Sequence, residues 1–260
     1  MILVLVSTFI LGCCLLLTSD LFIKEPTTST PVTEDATEIL GTETITTELN
    51  EPIVIDPDKP MIALTFDDGP CKHTERLLDI LAQYRVKATF FVIGNQIEID
   101  NRPETLKRIV AEGHEIGAHS WSHRDLTTLS SEDIVDEIMN TRMKIQSITG
   151  VDTRFLRPPY GAYNNETKRI CAEHYIVMIN WSLDTLDWET CDADKVYEDI
   201  MNQVKDGNII LCHDLYGTTV DAMERVIPDL IAQGYQLVTV SELLSYGEYE
   251  IKPGTVHNKQ

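Results

Sequence analysis

The apolar positions of this chain fall into short runs of two alternating kinds. Met61–Phe66 is continuously apolar apart from Thr65, the pattern of a strand buried on both faces. The next segment, 74–84, sets Leu77, Leu78 and Leu81 on one face at helical spacing, and 88–93 returns to a buried strand. The alternation then repeats. Residues 103–112 read as a helix, 115–118 as a short strand, and 130–148 as a long helix opened by Ser130, Glu132 and Asp133 and closed at Gly150. Further strands are predicted at 154–156, 175–179, 208–212 and 236–240, with helices at 166–174, 193–204 and 220–233.

Strands alternating with helices predict an α/β protein with a parallel sheet, and about seven such units predict a distorted, incomplete (β/α) barrel rather than a full eightfold one. Barrel chemistry collects at the C-terminal strand ends. Asp67, His119, Arg157 and His213 each lie at or just after such an end.

Toward the N-terminus the pattern changes. Residues 2–18 are almost wholly apolar and, with Leu21, Phe22 and Ile23, approach the ~20 residues that cross a bilayer, although Asp20 interrupts them. The segment 1–24 is expected to be a signal peptide or membrane anchor, and the protein to be exported, either held at the cell surface or secreted. No positive residue precedes Ile2, so cleavage and retention both stay open. Ile10-Leu11-Gly12-Cys13 has a faint lipoprotein-like form, against which Cys14-Leu15-Leu16-Leu17 continues the apolar run. Residues 25–59, dense in Thr, Glu and Pro, are expected to be a disordered linker. That leaves 60–246 as the catalytic domain and 247–260 as a C-terminal tail. Membrane contact is expected only through 1–24, and the domain is expected to be a monomer.

With 260 residues, 43% hydrophobic and 24% charged, the chain has material for one sizeable core and not for two large domains. Its formal charge is -21; ten acids and two bases in the first 60 residues leave -13 on the remainder. Such a surface excludes nucleic acid, whose phosphates need a Lys/Arg face, and leaves neutral or acetylated polymers as substrates. Cys13 and Cys14 lie in the leader, and Cys71, Cys171, Cys191 and Cys212 in the domain, with no CxxC pair. This predicts buried or free thiols rather than a disulfide scaffold, one oxidised pair being the alternative for an exported chain.

His119 and His123 stand four residues apart, a spacing that can bring two imidazoles onto one metal but is also common on solvated helices. Asp67-Asp68 closes an apolar strand and is followed by Gly69-Pro70, so both carboxylates sit where the chain turns. One acid to ligate and one to take a proton is what metal-assisted hydrolysis requires. Two histidines and one carboxylate leave room for water, as in catalytic zinc sites. Asp68, His119 and His123 are therefore the candidate ligands and Asp67 the candidate general base. His213, at the tip of the apolar run 208–212, is either a satisfied core histidine or, beside such a metal, the acid for a leaving group.

Taken in order, Thr65-Phe66-Asp67-Asp68-Gly69-Pro70, His119-Ser120-Trp121-Ser122-His123, Arg157-Pro158-Pro159-Tyr160-Gly161, Asp184-Thr185-Leu186-Asp187-Trp188 and Leu211-Cys212-His213-Asp214 resemble the five motifs of the polysaccharide deacetylases, carbohydrate esterase family four, also called the NodB-homology family. The resemblance runs over about 61–244 and implies a distorted β/α barrel. It makes Asp67 the base and gives Asp68, His119 and His123 a divalent metal, zinc first, with cobalt, manganese or nickel as alternatives. It has Arg157 hold the base ionised and the Tyr160 backbone N–H face the oxyanion. Asp187, with Asp184 as a less favoured substitute, orients His213 and raises its pKa. Trp188 and Leu211 match a groove wall and a pocket for the acetyl methyl, the competing reading of each being core packing. Cys212 departs from the family, which more often has an aliphatic residue there.

The implied activity is metal-dependent removal of N-acetyl groups from N-acetylglucosamine residues of a cell-surface glycan, peptidoglycan first and chitooligosaccharide second. The second Asp of the first motif, where Asn would be the variant form, speaks against muramic acid residues. The alternatives are an O-acetyl xylan esterase and a catalytically silent carbohydrate-binding module on the same scaffold.

Overall fold

The computed structural model describes residues 54–247 and 250–259. The leader expected over 1–24 and all of the 25–59 linker except 54–59 lie outside the described residues. Among the described residues no helix is long and apolar enough to cross a membrane.

The chain alternates strand and helix as the pattern predicts. β1 (Met61–Asp67), α1 (Thr74–Gln83), β2 (Thr89–Val92), α2 (Arg102–Ala111), β3 (Glu115–Ala118), α3 (Ser131–Thr149), β4 (Phe155–Leu156), α4 (Asn165–Glu173) and β5 (Val177–Ile179) form the first part. Then come β6 (Leu183–Asp184), α5 (Asp187–Thr190), α6 (Ala193–Gln203), β7 (Ile209–His213), α7 (Gly217–Ala232), β8 (Gln236–Leu237), α8 (Val240–Ser245) and β9 (Val256–His257). The strands pair in the order β6-β7-β1-β2-β3-β4-β5-β9, with β8 joining β1, and every pairing is parallel. The sheet curls into a partial barrel, and an antiparallel bridge between Asn208 and Lys259 ties the end of the β9 segment to the start of β7.

Residue parity decides what faces where, because successive strand side chains point to opposite sides. Ile62, Leu64 and Phe66 of β1, Phe90 and Val92 of β2, and Ile210 and Cys212 of β7 belong to the outer core under the helices. Met61, Ala63, Phe91, Val177, Ile179 and Ile209 form a second, smaller core in the lumen. The lumen series on β1 continues through Thr65 to Asp67, and on β7 through Leu211 to His213. Those two series place a carboxylate and an imidazole at the open end of an apolar tube.

The helix ends follow their caps. α3 starts where the Ser130 side chain accepts the Asp133 N–H and stops at Gly150, whose φ of 77° suits a residue without Cβ. The strand predicted over 236–240 is shorter than its apolar pattern, because Thr239 and Glu242 form a reciprocal capping box that turns the chain into α8. Three elements are too short for periodicity to reveal, namely β6, α5 and β9. The segment read as a C-terminal tail contains β9, which extends the sheet beside β5, so the folded unit runs past 246. The four described cysteines are unpaired, Cys191 exposed and the other three buried, in line with the thiol reading.

Backbone bonds hold β9 in place: Gly254 N–H to Ile176 O at 2.8 Å, Met178 N–H to Thr255 O at 2.9 Å and Asn180 N–H to His257 O at 2.8 Å. Deleting residues 252–260 removes all three, at roughly 0.5–1.5 kcal/mol each, and uncovers an edge of β5. The midpoint of thermal unfolding is expected to fall by several degrees, at ~2–4 °C per kcal/mol for a domain of this size. An unchanged melt would show that β9 adds nothing to the fold.

Candidate active site

At the C-terminal ends of β1 and β7, Asp67 and His213 are register partners on adjacent parallel strands. With Asp68, His119, His123, Tyr160, Trp188 and Leu211 they line one cavity of about 420 Å³, completed by Trp181, Asp184 and Tyr216. Every cavity-facing residue named from the motifs is thus brought together, while Arg157 and Asp187 lie behind it, both fully buried.

Asp67 is 2% exposed. Arg157 Nη1 donates to its Oδ1 at 2.8 Å and to Thr65 Oγ1 at 2.7 Å, while Nε and Nη2 donate to the carbonyls of Ile179 and Asn180, each at 3.1 Å. Burial pushes the Asp67 carboxyl above its ordinary value, and the Arg157 and His213 charges pull against it. The resemblance implies that Arg157 keeps this carboxyl ionised; its charge and hydrogen bond act in that direction, while burial acts against them and is the larger cause.

Asp68 turns out of the strand with φ 71°. Its Oδ1 lies 3.4 Å from His119 Nε2 and 3.5 Å from His123 Nε2. One donor atom from each of the three residues falls within 4.8 Å of the others. Oδ1 is buried and has no hydrogen-bond partner among the described residues, an arrangement disfavoured unless a cation completes it. His119 Nδ1 lies 2.7 Å from the Arg157 carbonyl, so Nδ1 carries the proton and Nε2 offers its lone pair. Burial lowers the His119 pKa to about 3, which keeps the ring in its neutral, ligating form. These residues fit a divalent cation.

His213 is held differently. Its Nδ1 bonds Asp187 Oδ1 at 2.8 Å and its backbone N–H donates to Asp187 Oδ2 at 2.7 Å. The carboxylate also accepts from Trp188 N–H at 2.9 Å and Thr219 Oγ1 at 2.7 Å. Burial by itself would lower the His213 pKa, but the Asp187 hydrogen bond and charge, with Asp67 and Asp68, raise it to about 9. Of the two acids in the fourth motif it is therefore Asp187 that touches His213; Asp184 accepts the Leu186 N–H at 3.0 Å and faces the cavity.

Five residues of these motifs, Asp68, Ser120, His123, Tyr160 and Leu186, hold positive φ without being glycine, out of nine such residues among those described. Backbone strain is thus concentrated where the side chains must converge, at roughly 1–3 kcal/mol per residue. Trp188 is about half exposed at the rim, whereas Leu211 is buried and also forms cavity wall, so its two readings coincide. Sequence reasoning missed Trp181 and Tyr216, although an aromatic residue just past a strand end is a usable signal. It also missed Thr219, which nothing in the pattern marks.

Asp214 follows His213 and is fully buried. Thr74 Oγ1 donates to its Oδ2, and Oδ1 has no hydrogen-bond partner among the described residues. A Cβ on Gly69 would lie 2.5 Å from Oδ1, so only glycine fits opposite this carboxyl. Burial raises the Asp214 pKa from 3.8 to about 7. An acid whose folded pKa is raised is neutral at no penalty below 3.8, and folding loses stability as pH climbs from 3.8 to about 7, beyond which the loss is constant. The full loss is on the order of 4 kcal/mol. Asp214→Asn keeps an acceptor for Thr74 and removes the charge. In chelator-stripped protein it is expected to raise the thermal midpoint over wild type clearly more at pH ~8 than at pH ~5; an equal shift at both would contradict the charge argument.

The family model for polysaccharide deacetylase matches residues 55–179. Over 190 residues the chain is 43% identical to a Bacillus subtilis protein named peptidoglycan-N-acetylmuramic acid deacetylase PdaC, the match covering 73% of this chain and 40% of that protein. It is 34% identical over 195 residues to a peptidoglycan-N-acetylglucosamine deacetylase of Bacillus cereus, covering 73% of this chain and 90% of that one. A solved family 4 acetyl xylan esterase from Clostridium thermocellum, in complex with a cobalt ion, superposes with a TM-score of 0.71 at 35% identity, covering 76% of this chain and 98% of that chain. The chain therefore spans about 40% of the length of the PdaC relative, 90% of the Bacillus cereus protein and 98% of the solved esterase chain. Fold, motif order and these likenesses agree: the chain belongs to the polysaccharide deacetylase family.

Proposed function

We propose that this protein is a divalent-metal-dependent polysaccharide deacetylase that removes N-acetyl groups from N-acetylglucosamine residues of a cell-surface glycan, peptidoglycan first. The observation that carries the reading is the unpartnered Asp68 Oδ1 facing two imidazoles, beside Arg157-held Asp67 and Asp187-held His213 in one cavity. Asp68, His119 and His123 would hold the cation, zinc first, and the chemistry it supplies when bound is Lewis-acid polarisation of the acetyl carbonyl. The cobalt in the acetyl xylan esterase structure supports a metal of this kind.

The protein's own groups do the rest. Asp67 takes the proton of the attacking water, its guanidinium partner fixing the carboxylate in place. The Tyr160 N–H donates to the oxyanion that develops on the carbonyl. His213, with Nδ1 committed to Asp187, presents Nε2–H to the departing nitrogen. An amine is a poor leaving group, so this acid matters more for an amide than for an ester. Trp188 and Leu211 wall the sugar and the acetyl methyl.

Among the described cavity-lining residues none is Lys or Arg, so none of them pairs the free carboxylate of a muramic acid residue that lacks its stem peptide. This supports the neutral glucosamine residue. The second Asp of the first motif supports the same sugar, although the relative named for muramic acid is the more similar of the two. The apolar run at 2–18 supports export and a substrate at the cell surface. The likeness to an acetyl xylan esterase favours O-acetyl xylan as the second reading.

Acetate release from N-acetylchitooligosaccharide, peptidoglycan and acetylated xylan ranks these substrates. Chelator is expected to abolish release, and added zinc or cobalt to restore it; release that persists in chelator sinks the metal reading. Asp67→Asn and His213→Ala are each expected to lower kcat by roughly 10²–10⁴ in a chain that still folds, with a lowered thermal midpoint for Asp67→Asn, which leaves the buried Arg157 without its counter-charge. Near wild-type turnover in either would remove that residue from its role.

His213 acts as an acid only while protonated, so activity is expected to persist below its pKa and to decline as pH rises through about 9. Asp187→Asn keeps an acceptor for Nδ1–H and takes away the charge that raises it. The alkaline limb of the pH–rate profile should then move toward the ordinary 6.5. A limb that stays in place would show that His213 is not the titrating acid.

A further inference from the structure

Between His119 and His123 the backbone follows neither helix nor sheet, with Ser120 and His123 at φ 61° and 58°. Its amides and carbonyls must find partners elsewhere. His119 N–H donates to Val92 O at 2.9 Å, and the carbonyls of Ser120 and Trp121 accept from Gly94 and Asn95 at 3.0 and 2.9 Å. His123 N–H donates to Ser120 Oγ at 2.9 Å. Two further N–H groups of the loop, those of Trp121 and Ser122, find a side chain. Both donate to one oxygen, Glu137 Oε2, at 2.9 and 2.8 Å, and Ser122 Oγ donates to Glu137 Oε1 at 2.5 Å.

Glu137 stands on α3, outside all five motifs, and is 6% exposed. Arg124 Nη1 is 3.9 Å from Oε1 on a side chain 52% exposed, too distant and too solvated to explain a buried carboxylate. Three donors from a single loop do explain it. From the other side the Trp121 ring lies against Gly94, where a Cβ would come within 2.5 Å of Cε3. The loop is clamped between α3 and the end of β2.

We infer that Glu137 is a positioning residue of the metal centre, holding the loop between His119 and His123 so that both Nε2 atoms converge on Asp68 Oδ1. The inference rests on the metal reading proposed above. Its chemistry predicts which substitutions matter. Glutamine still offers one oxygen to both amides, and the Ser122 hydroxyl can turn to accept from its NH₂. Aspartate keeps the charge but is a methylene short. Alanine leaves two amides unmet.

The test is titration of the metal-free full-length chain with Co²⁺ alone, followed by calorimetry, with thermal melts on the same samples. Wild type is expected to bind one equivalent. Glu137→Ala and Glu137→Asp are expected to bind roughly ten- to a hundredfold more weakly, the range for losing a partner that orients a metal ligand, and Glu137→Gln close to wild type. Should the alanine variant fail to fold, the aspartate variant decides. Wild-type Co²⁺ affinity in the aspartate or alanine variant, with only the melting temperature lowered, would overturn the inference and leave Glu137 a partner for buried amides. Failure of the wild-type chain to bind Co²⁺ is a different result, and overturns the metal reading itself.

Discussion

The site depends on one buried guanidinium. Arg157 is fully enclosed, yet its donors reach Thr65 and Asp67 at the end of β1 and the carbonyls of Ile179 and Asn180 at the end of β5. Its own carbonyl sets the tautomer of His119, and its plane rests 4.2 Å from the centre of the Phe91 ring. One residue at the end of β4 therefore ties three strands, the base and a metal ligand into a single geometry. A buried ion pair is a poor way to gain stability, since desolvation of both charges offsets most of their attraction. Breaking one by removing a partner, however, strands a charge at roughly 3–5 kcal/mol. Such a pair is best understood as a device for fixing position, and the position it fixes is that of Asp67.

The curled parallel sheet is what lets so polar an assembly sit at the end of an apolar tube. β1 is buried along its whole length, and its parity sends Ile62, Leu64 and Phe66 to the helices and Met61 and Ala63 into the lumen. The lumen series turns polar only at Thr65 and Asp67, where strand gives way to loop. A one-residue slip would exchange the two faces and put a carboxylate into the helix-facing core. The hydrophobic pattern that sets the register thus also aims the catalytic carboxylate, and stability and chemistry share one constraint.

This is why so much was legible in the sequence and why the remainder was not. Parallel strands read as apolar runs, and polar groups at their tips stand out against that background, so Asp67, Asp68 and His213 could be placed before any coordinates. The residues that hold them are harder to see. Thr219 and Glu137 lie on helices, remote in sequence from what they touch, and a polar residue on a helix carries no mark of whether it faces solvent or a loop. β6, α5 and β9 are too brief to establish a period. β8 ended early because a capping box overrode an apolar pattern. Asp184 and Asp187 are equivalent by composition, and only the fold, by turning the chain at Leu186 with φ 49°, sends the second toward His213.

Titratable groups within one small region are driven apart by what surrounds them, and that separation lets acid and base coexist. His119 and His213 are both largely buried imidazoles. His119 meets a carbonyl at Nδ1, a second imidazole and the Asp68 carboxylate, and burial outweighs that charge and holds it neutral at a pKa of about 3. His213 meets Asp187, whose remaining lone pairs are taken by Trp188 N–H and Thr219 Oγ1, and its pKa rises to about 9. One ring is thereby available as a ligand and the other as a proton donor at the same pH. Their sequence contexts differ little, each being a histidine at the end of an apolar strand. The difference lies in the acceptor offered to Nδ1, a backbone carbonyl in one case and a fully buried carboxylate in the other. An acceptor without charge fixes a tautomer, whereas an acceptor with charge also stabilises the imidazolium, and that distinction assigns the two histidines opposite roles.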